Sequence, residues 1–231
     1  MQNREALIEH LKNFATPDRV AKFIKVLDSR TRYLTVVLED IYQPQNASAV
    51  LRSADALGIQ DVHVIENNHS YTINPMVEKG ASAWLSLHSY KEEANNTKQA
   101  LKALKSEGYR IIATTPHTDD INLEDIDLEK GKIAIVFGTE VSGISDIVRD
   151  EADEFLKIPM YGFTESFNIS VSAAIVMHHL RLKLQQSEID WALSREEYNE
   201  ILFSWLKKTI KASDDIIKRF ENKEQFKEDI K

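Results

Sequence analysis

The 231-residue chain has no cysteine, so a disulfide framework is excluded and a cytoplasmic location is the default expectation. It has no apolar run near the roughly 18 residues that span a membrane. Its polar start, Met1-Gln2-Asn3-Arg4-Glu5, does not read as a signal peptide. Metal ligands are sparse: the seven histidines are scattered, and the adjacent pair His178-His179 would point apart on a helix, so no metal site is expected. The usual nucleotide signatures are missing as well. No Gly-x-Gly-x-x-Gly follows a predicted strand, and although Gly138 and Gly143 are spaced as in a phosphate loop, Ile144 stands where a lysine is required. Ser166 lacks the Gly-x-Ser-x-Gly elbow, which argues against an α/β hydrolase.

What the sequence does contain is an alternation of strand and helix patterns. With 42% apolar and 29% charged residues, it can bury one core of ordinary size plus extensions. Candidate strands run from Leu34 to Leu38, Val62 to Ile65, Trp84 to His88, Arg110 to Thr114, Ile133 to Phe137 and Phe155 to Ile158. Candidate helices run from Ala47 to Leu57, Glu92 to Glu107 and Ile169 to Gln186. Such alternation implies an α/β fold with a mostly parallel sheet and helices on both faces.

Three strand–loop–helix junctions hold the small and polar residues. In the first, the strand ending at Leu38 leads through the loop Glu39 to Gln45, with Asn46 as the expected cap of a helix that Gly58 ends; Ser48 and Arg52 share one of its faces. In the second, Phe137 leads into Gly138-Thr139-Glu140-Val141-Ser142-Gly143-Ile144-Ser145, with the next helix starting near Ser145 or Asp146. In the third, Ile158-Pro159-Met160 breaks into a turn, and Ser166-Phe167-Asn168-Ile169-Ser170 then opens an apolar helix. Taken singly, Ser166 or Asn168 reads equally well as a helix cap. Junctions of this kind in an open α/β sheet form ligand sites at the carboxyl ends of the strands.

Together, Asn46 through Arg52, Phe137 through Ser145 and Ile158 through Val171 resemble the three motifs of the SPOUT superfamily of RNA 2′-O-ribose methyltransferases. The resemblance covers about residues 15 to 186, and within the superfamily it is to the enzymes that methylate the D-loop guanosine at tRNA position 18. It implies S-adenosylmethionine as methyl donor, tRNA as substrate and a homodimer with active sites at the subunit interface. It also implies a deep C-terminal trefoil knot, a threading that ordinary folding rules make rare. The matching organisation is a helical N-terminal extension over 1–30, a methyltransferase domain over 31–186 and a helical C-terminal extension over 187–231. The face made by Val171, Ala174, Ile175, Met177 and His178 fits either the core or a dimer.

Methyl transfer to a ribose hydroxyl is an in-line displacement, so positioning supplies much of the acceleration. A nearby positive charge that stabilises alkoxide character adds to it. By resemblance Arg52 activates that hydroxyl. A guanidinium stays protonated near neutrality, so an electrostatic role suits it better than that of a literal base, with an ordinary pairing to Asp55 as the alternative. Asn46 then orients Arg52 or caps its helix, Glu140 arranges the site, and Ser166 and Asn168 position substrate, cofactor and Arg52. The resemblance assigns Thr114, Gly138, Ile158, Met160 and Phe167 to the cofactor, with core packing the competing reading for Ile158 and Phe167.

The net charge of −8 is opposite to the basic footprint of an RNA binder. Its distribution is uneven: residues 1–32 carry seven Lys or Arg against four Asp or Glu. Arg19, Lys22, Lys25, Arg30 and Arg32, with Lys207, Lys208 and Lys211 on a C-terminal helix expected from Trp205 to Phe220, are assigned to a shared tRNA surface; solvated helix faces are the alternative. Gln45, Ala47, Phe167 and Ile169 depart from residues common in relatives, changes that bear on selectivity more than on chemistry. Methylation of another tRNA or ribosomal RNA nucleotide, and a noncatalytic RNA-binding protein on the same fold, are the competing functions.

Overall fold

The computed structural model describes residues 2–93, 95–115, 121–139 and 142–228. Among these, seven strands form one sheet: β1 (Leu34–Glu39), β2 (Asp61–Ile65), β3 (Ser86–Tyr90), β4 (Arg110–Thr114), β5 (Ile121–Asn122), β6 (Ile133–Phe137) and β7 (Glu154–Lys157). Their order is β3-β2-β1-β6-β4-β7-β5, and the strand pairings are parallel. The chain divides into two compact units, Thr31–Trp191 and a second made of the residues up to Arg30 and from Ala192 on.

In the first unit the side-chain alternation of the central strands sorts the core into two faces. Leu34, Val36 and Leu38 of β1 pack with α3 (Pro44–Ala56) and α7 (Ile169–Gln185). Val37 and, from β6, Ala134 and Val136 pack on the other face with α5 (Asn96–Ser106) and α6 (Asp146–Glu151). Strands β1 and β6 are buried along their whole length, which is why β6 is a continuous apolar run and β1 is apolar apart from Thr35 and Glu39. A short helix α4 (Pro75–Glu78) precedes β3.

Several boundaries differ from the sequence expectation. Helix α3 begins at Pro44, with Gln43 in the capping position, so Asn46 sits inside the first turn and is not the cap. Proline fits there because the N–H it lacks would have had no helical partner. The other end of α3 is as expected: Gly58 adopts φ +74°, and Gly58 and Ile59 donate to the carbonyls of Asp55 and Ala54. Helix α5 starts at Asn96 and not at Glu92, because the Asn95 side chain accepts from the Lys98 N–H. Strand β3 lies two residues later than expected, since Ala81–Ala83 forms a 3-10 turn closed by Trp84. The two-residue β5 is too short to leave a pattern in sequence.

Along the outer strands, the His63 and His88 rings stack at 4.4 Å, and Arg32 pairs with Asp61 at 2.9 Å. Burial, then the His88 charge, lowers the His63 pKa to about 4 against the opposing pull of Asp61. Burial pushes the Asp61 carboxyl up, but the His88 hydrogen bond and the charges of Arg32, His88 and His63 outweigh it and leave the carboxyl below its ordinary value.

The second unit consists of α1 (Gln2–Lys12), α2 (Pro17–Leu27), α8 (Arg195–Thr209) and α9 (Ser213–Glu228). Leu7, Leu11, Phe23, Leu27, Leu202, Trp205 and Leu206 are buried in it. Helix α8 opens with a capping box between Ser194 and Glu197. The single C-terminal helix expected through Trp205 to Phe220 is two helices, broken where Ala212 takes φ +58° and Ser213 Oγ donates to the Lys207 carbonyl.

Candidate active site

The three polar junctions converge at one end of the sheet, as the parallel order requires. Leu38 of β1 lies beside Phe137 of β6, β4 separates β6 from β7, and each strand ends there on a junction residue. Over the ends of β6, β4 and β7 opens a cleft of about 510 Å³. Thr114, Gly138, Ile158, Met160 and Phe167, the five residues assigned to a cofactor, all line it, together with Ser166 and Asn168. Phe167 is 42% exposed, so its ring serves the cleft wall and not the core. Ile158 does both, packing also on the core under α3 and α7.

The cleft floor is built by backbone. A Cβ at Gly138 would overlap the Gly143 carbonyl, so only glycine lets the loop fold back at that point. The loop is closed by the Thr139 N–H donating to the Gly143 carbonyl at 2.8 Å and by the Ser142 N–H donating to Thr139 Oγ1 at 3.0 Å. Its far end is pinned by the buried Glu39 carboxylate, which accepts from the Ser145 N–H and hydroxyl and from the Thr97 hydroxyl. Glu140 lies outside the described residues.

Asn168 caps its helix and also reaches a residue of the first junction. Its Oδ1 accepts from the Ser170 N–H and caps α7, while its Nδ2 donates to Asn46 Oδ1 at 3.1 Å. Asn46 Nδ2 in turn donates to Gln43 Oε1. Asn46 is buried, and it lines a second cavity of about 420 Å³ with Ile41, Tyr42, Gln43 and His69. Thr139, Ser142 and Ile169 line both cavities, so the two adjoin.

Arg52 lines neither cavity. It is exposed on α3, and among the described residues no hydrogen bond or ion pair holds it. Ser48, expected on the same face, is fully buried and accepts from the Asn74 N–H. The α7 face also divides: Met177 is core, Ala174 and Ile175 are half-buried, and Val171 and His178 are exposed.

Of the residues assigned to RNA, Arg19, Lys22, Lys25, Lys207, Lys208 and Lys211 are exposed. Arg30 and Arg32 are corrected. Arg30 is only 2% exposed, with its guanidinium 5.4 Å from the Trp205 ring centre, and Arg32 is committed to Asp61. Charge alone cannot tell a cation on the surface from one packed under an aromatic ring.

Site-lining residues that the sequence did not single out include Tyr42, His69 and Arg149, the last at the cleft. Arg149 follows the second motif on α6, so its basic character was a usable signal. His69 comes from a loop with no motif of its own.

An open, parallel α/β sheet with a turn-built cleft over its carboxyl ends defines a small-molecule-binding α/β enzyme class. The chain belongs to the SpoU rRNA Methylase family, whose model matches residues 33–178. Over 201 residues it is 47% identical to a tRNA (guanosine(18)-2′-O)-methyltransferase of Borreliella burgdorferi, covering 87% of this chain and 90% of the relative. A Thermus thermophilus protein of the same name is 31% identical over 195 residues, covering 84% and 98%. The crystal structure of an A. aeolicus TrmH/SpoU tRNA modifying enzyme superposes with a TM-score of 0.74 at 27% identity, covering 84% of this chain and 98% of that one.

Proposed function

We infer that this protein uses S-adenosylmethionine to methylate the ribose 2′-hydroxyl of guanosine 18 in tRNA, acting as a homodimer in the cytoplasm. The carrying observation is that five cofactor-assigned residues line one cleft whose wall residue Asn168 is hydrogen-bonded to Asn46 on the Arg52 helix. Family membership and the naming of the relatives support the same reading.

The cleft suits the cofactor. Its volume is that of a small-molecule site, its walls at Ile158, Met160 and Phe167 are apolar, and the Gly138 turn leaves backbone where a side chain would intrude. S-adenosylmethionine supplies a methyl group on a positively charged sulfur. This chain's residues then have to bring the hydroxyl in line and stabilise charge on its oxygen. Arg52 provides that charge, Asn46 and Asn168 fix the geometry between α3 and the cleft, and Ser166 orients substrate. Glu140 keeps the role that its motif position gives it.

A site completed between two copies accounts for an Arg52 that faces solvent in the single chain. Tyr161 and Phe163, fully exposed in the turn that also carries Met160 and Glu165, are apolar surface of the kind a partner subunit covers. The C-terminal knot belongs to the same reading and rests on the family. The tRNA surface is carried by Arg19, Lys22 and Lys25 along α2, with Lys207, Lys208 and Lys211.

The test is methyl transfer to two otherwise identical unmodified tRNAs, one with 2′-deoxyguanosine at position 18. Transfer to the ribose form alone is expected; equal transfer to both would assign another nucleotide.

A further inference from the structure

None of the five residues assigned to the cofactor lines the second cavity, and the loop at its edge is held in place by hydrogen bonds. Tyr42 stands at its edge with 71% of its surface exposed, and the His69 ring meets the Tyr42 ring edge to face, with centres 5.1 Å apart and planes at 72°. The loop that presents His69 is tied to Asp40. One carboxylate oxygen accepts from the N–H groups of Asn67, Asn68 and His69, at 2.7, 2.9 and 3.3 Å, and the other accepts from Asn68 Nδ2 at 2.8 Å. These bonds outweigh the effect of burial and hold the Asp40 carboxyl below its ordinary value. Asp40 itself takes φ +52°, a conformation uncommon for a residue with a side chain.

Two facts fix what such a cavity would take. It shares Thr139, Ser142 and Ile169 with the cofactor cleft, so a ribose whose 2′-hydroxyl reaches the cleft has this adjoining space open to its base. It also sets the Tyr42 ring beside the amide of Gln43, which suits a flat ring bearing hydrogen-bonding groups. Unstacked bases of single-stranded RNA loops are recognised by stacking on aromatic side chains.

We propose that Tyr42, backed by His69, is the stacking platform for the base of the target nucleotide, and that Asp40 is the positioning residue that holds the platform together. The proposal rests on the methyltransferase reading above. Tyr42 would contribute to holding the substrate and not to binding the cofactor.

The experiment uses the full chain with unmodified tRNA, and with the same tRNA carrying fluorescent 2-aminopurine at position 18. Tyr42→Ala is expected to lower kcat/KM for tRNA roughly 5- to 150-fold, the range set by removing one base–aromatic stack. It should leave S-adenosylmethionine affinity unchanged and relieve the quenching of 2-aminopurine. Tyr42→Phe, which keeps the ring, should restore both readouts. Asp40→Asn should raise KM for tRNA more than it lowers kcat. If the wild type methylates guanosine 18 while Tyr42→Ala keeps its kcat/KM and quenching, the platform is overturned and the methyltransferase reading stands. If the wild type methylates no RNA, both fall.

Discussion

Asn168 holds a helix and a neighbour at once: Oδ1 caps α7 at the Ser170 N–H, and Nδ2 reaches Asn46 Oδ1 at 3.1 Å. The two bonds have different consequences and can be separated. Asn168→Asp keeps the cap, since Asp and Asn cap about equally, but an ionised carboxylate cannot donate to Asn46. Its thermal stability should fall by about 0.5–1.5 kcal/mol, the worth of the one lost hydrogen bond, while methyl transfer falls. Asn168→Ala should lose the cap too, about 1 kcal/mol more. Denaturation and single-turnover assays on both variants check this; equal activity of Asn168→Asp and wild type would reduce the residue to a cap.

Replacing Arg52 by Ala should lower methyl transfer at least about 100-fold, the scale of removing one transition-state charge partner. Because Arg52 is exposed and lines neither cavity, calorimetric S-adenosylmethionine binding should be unchanged. Retained turnover would remove it from the active site.

At Gly138 the backbone itself is the constraint, because an added Cβ overlaps the Gly143 carbonyl. Gly138→Ala should therefore cost about 1–3 kcal/mol and weaken cofactor binding, readable by titration calorimetry. An alanine variant with full affinity would show that the loop has room to shift.

The basic residues should divide by burial and not by sequence neighbourhood. Neutralising Arg19, Lys22 and Lys25 should weaken tRNA binding and flatten its salt dependence, the log–log slope falling by roughly 0.7 to 0.9 for each phosphate left without a cation. Arg30→Ala should instead lower thermal stability, since that guanidinium is packed on Trp205. Filter binding across a salt series, with melting curves alongside, distinguishes the two.

His63 predicts the acid response of the first unit. Its pKa is depressed to about 4 in the folded state against about 6.5 unfolded, so the unfolded chain binds the proton first as pH falls. Its contribution is intact above about pH 6.5 and is lost between about 6.5 and 4. The lowered Asp61 pKa removes further stability at still lower pH, as the carboxylate protonates below its unfolded value. His63→Asn should flatten the melting-temperature profile between about pH 6.5 and 4, and a profile unchanged from wild type would contradict this.

The strands were legible where they are buried on both faces. β4 and β6 match their expected bounds because a buried apolar centre, Ile111 to Ala113 in β4 and the whole of β6, has one reading, whereas β3, exposed at the sheet edge, slipped by two residues. The place of the cleft was legible because glycine, proline and polar residues mark the ends of strands, whereas the assignment of Thr114, Gly138, Ile158, Met160 and Phe167 to a cofactor came from the resemblance. Other features depended on three-dimensional neighbours: Asn46 as a bridged residue and not a cap, Arg30 under Trp205, and His69 carried to Tyr42 by the Asp40 carboxylate. None of these leaves a local pattern in sequence.

The most direct measurement is to incubate the protein with S-adenosylmethionine carrying a labelled methyl group and unmodified tRNA, then map the product by nucleotide-resolved ribose-methylation analysis. The account predicts one 2′-O-methyl group, on guanosine 18. Label on a base, at an anticodon nucleotide or only in ribosomal RNA would contradict it.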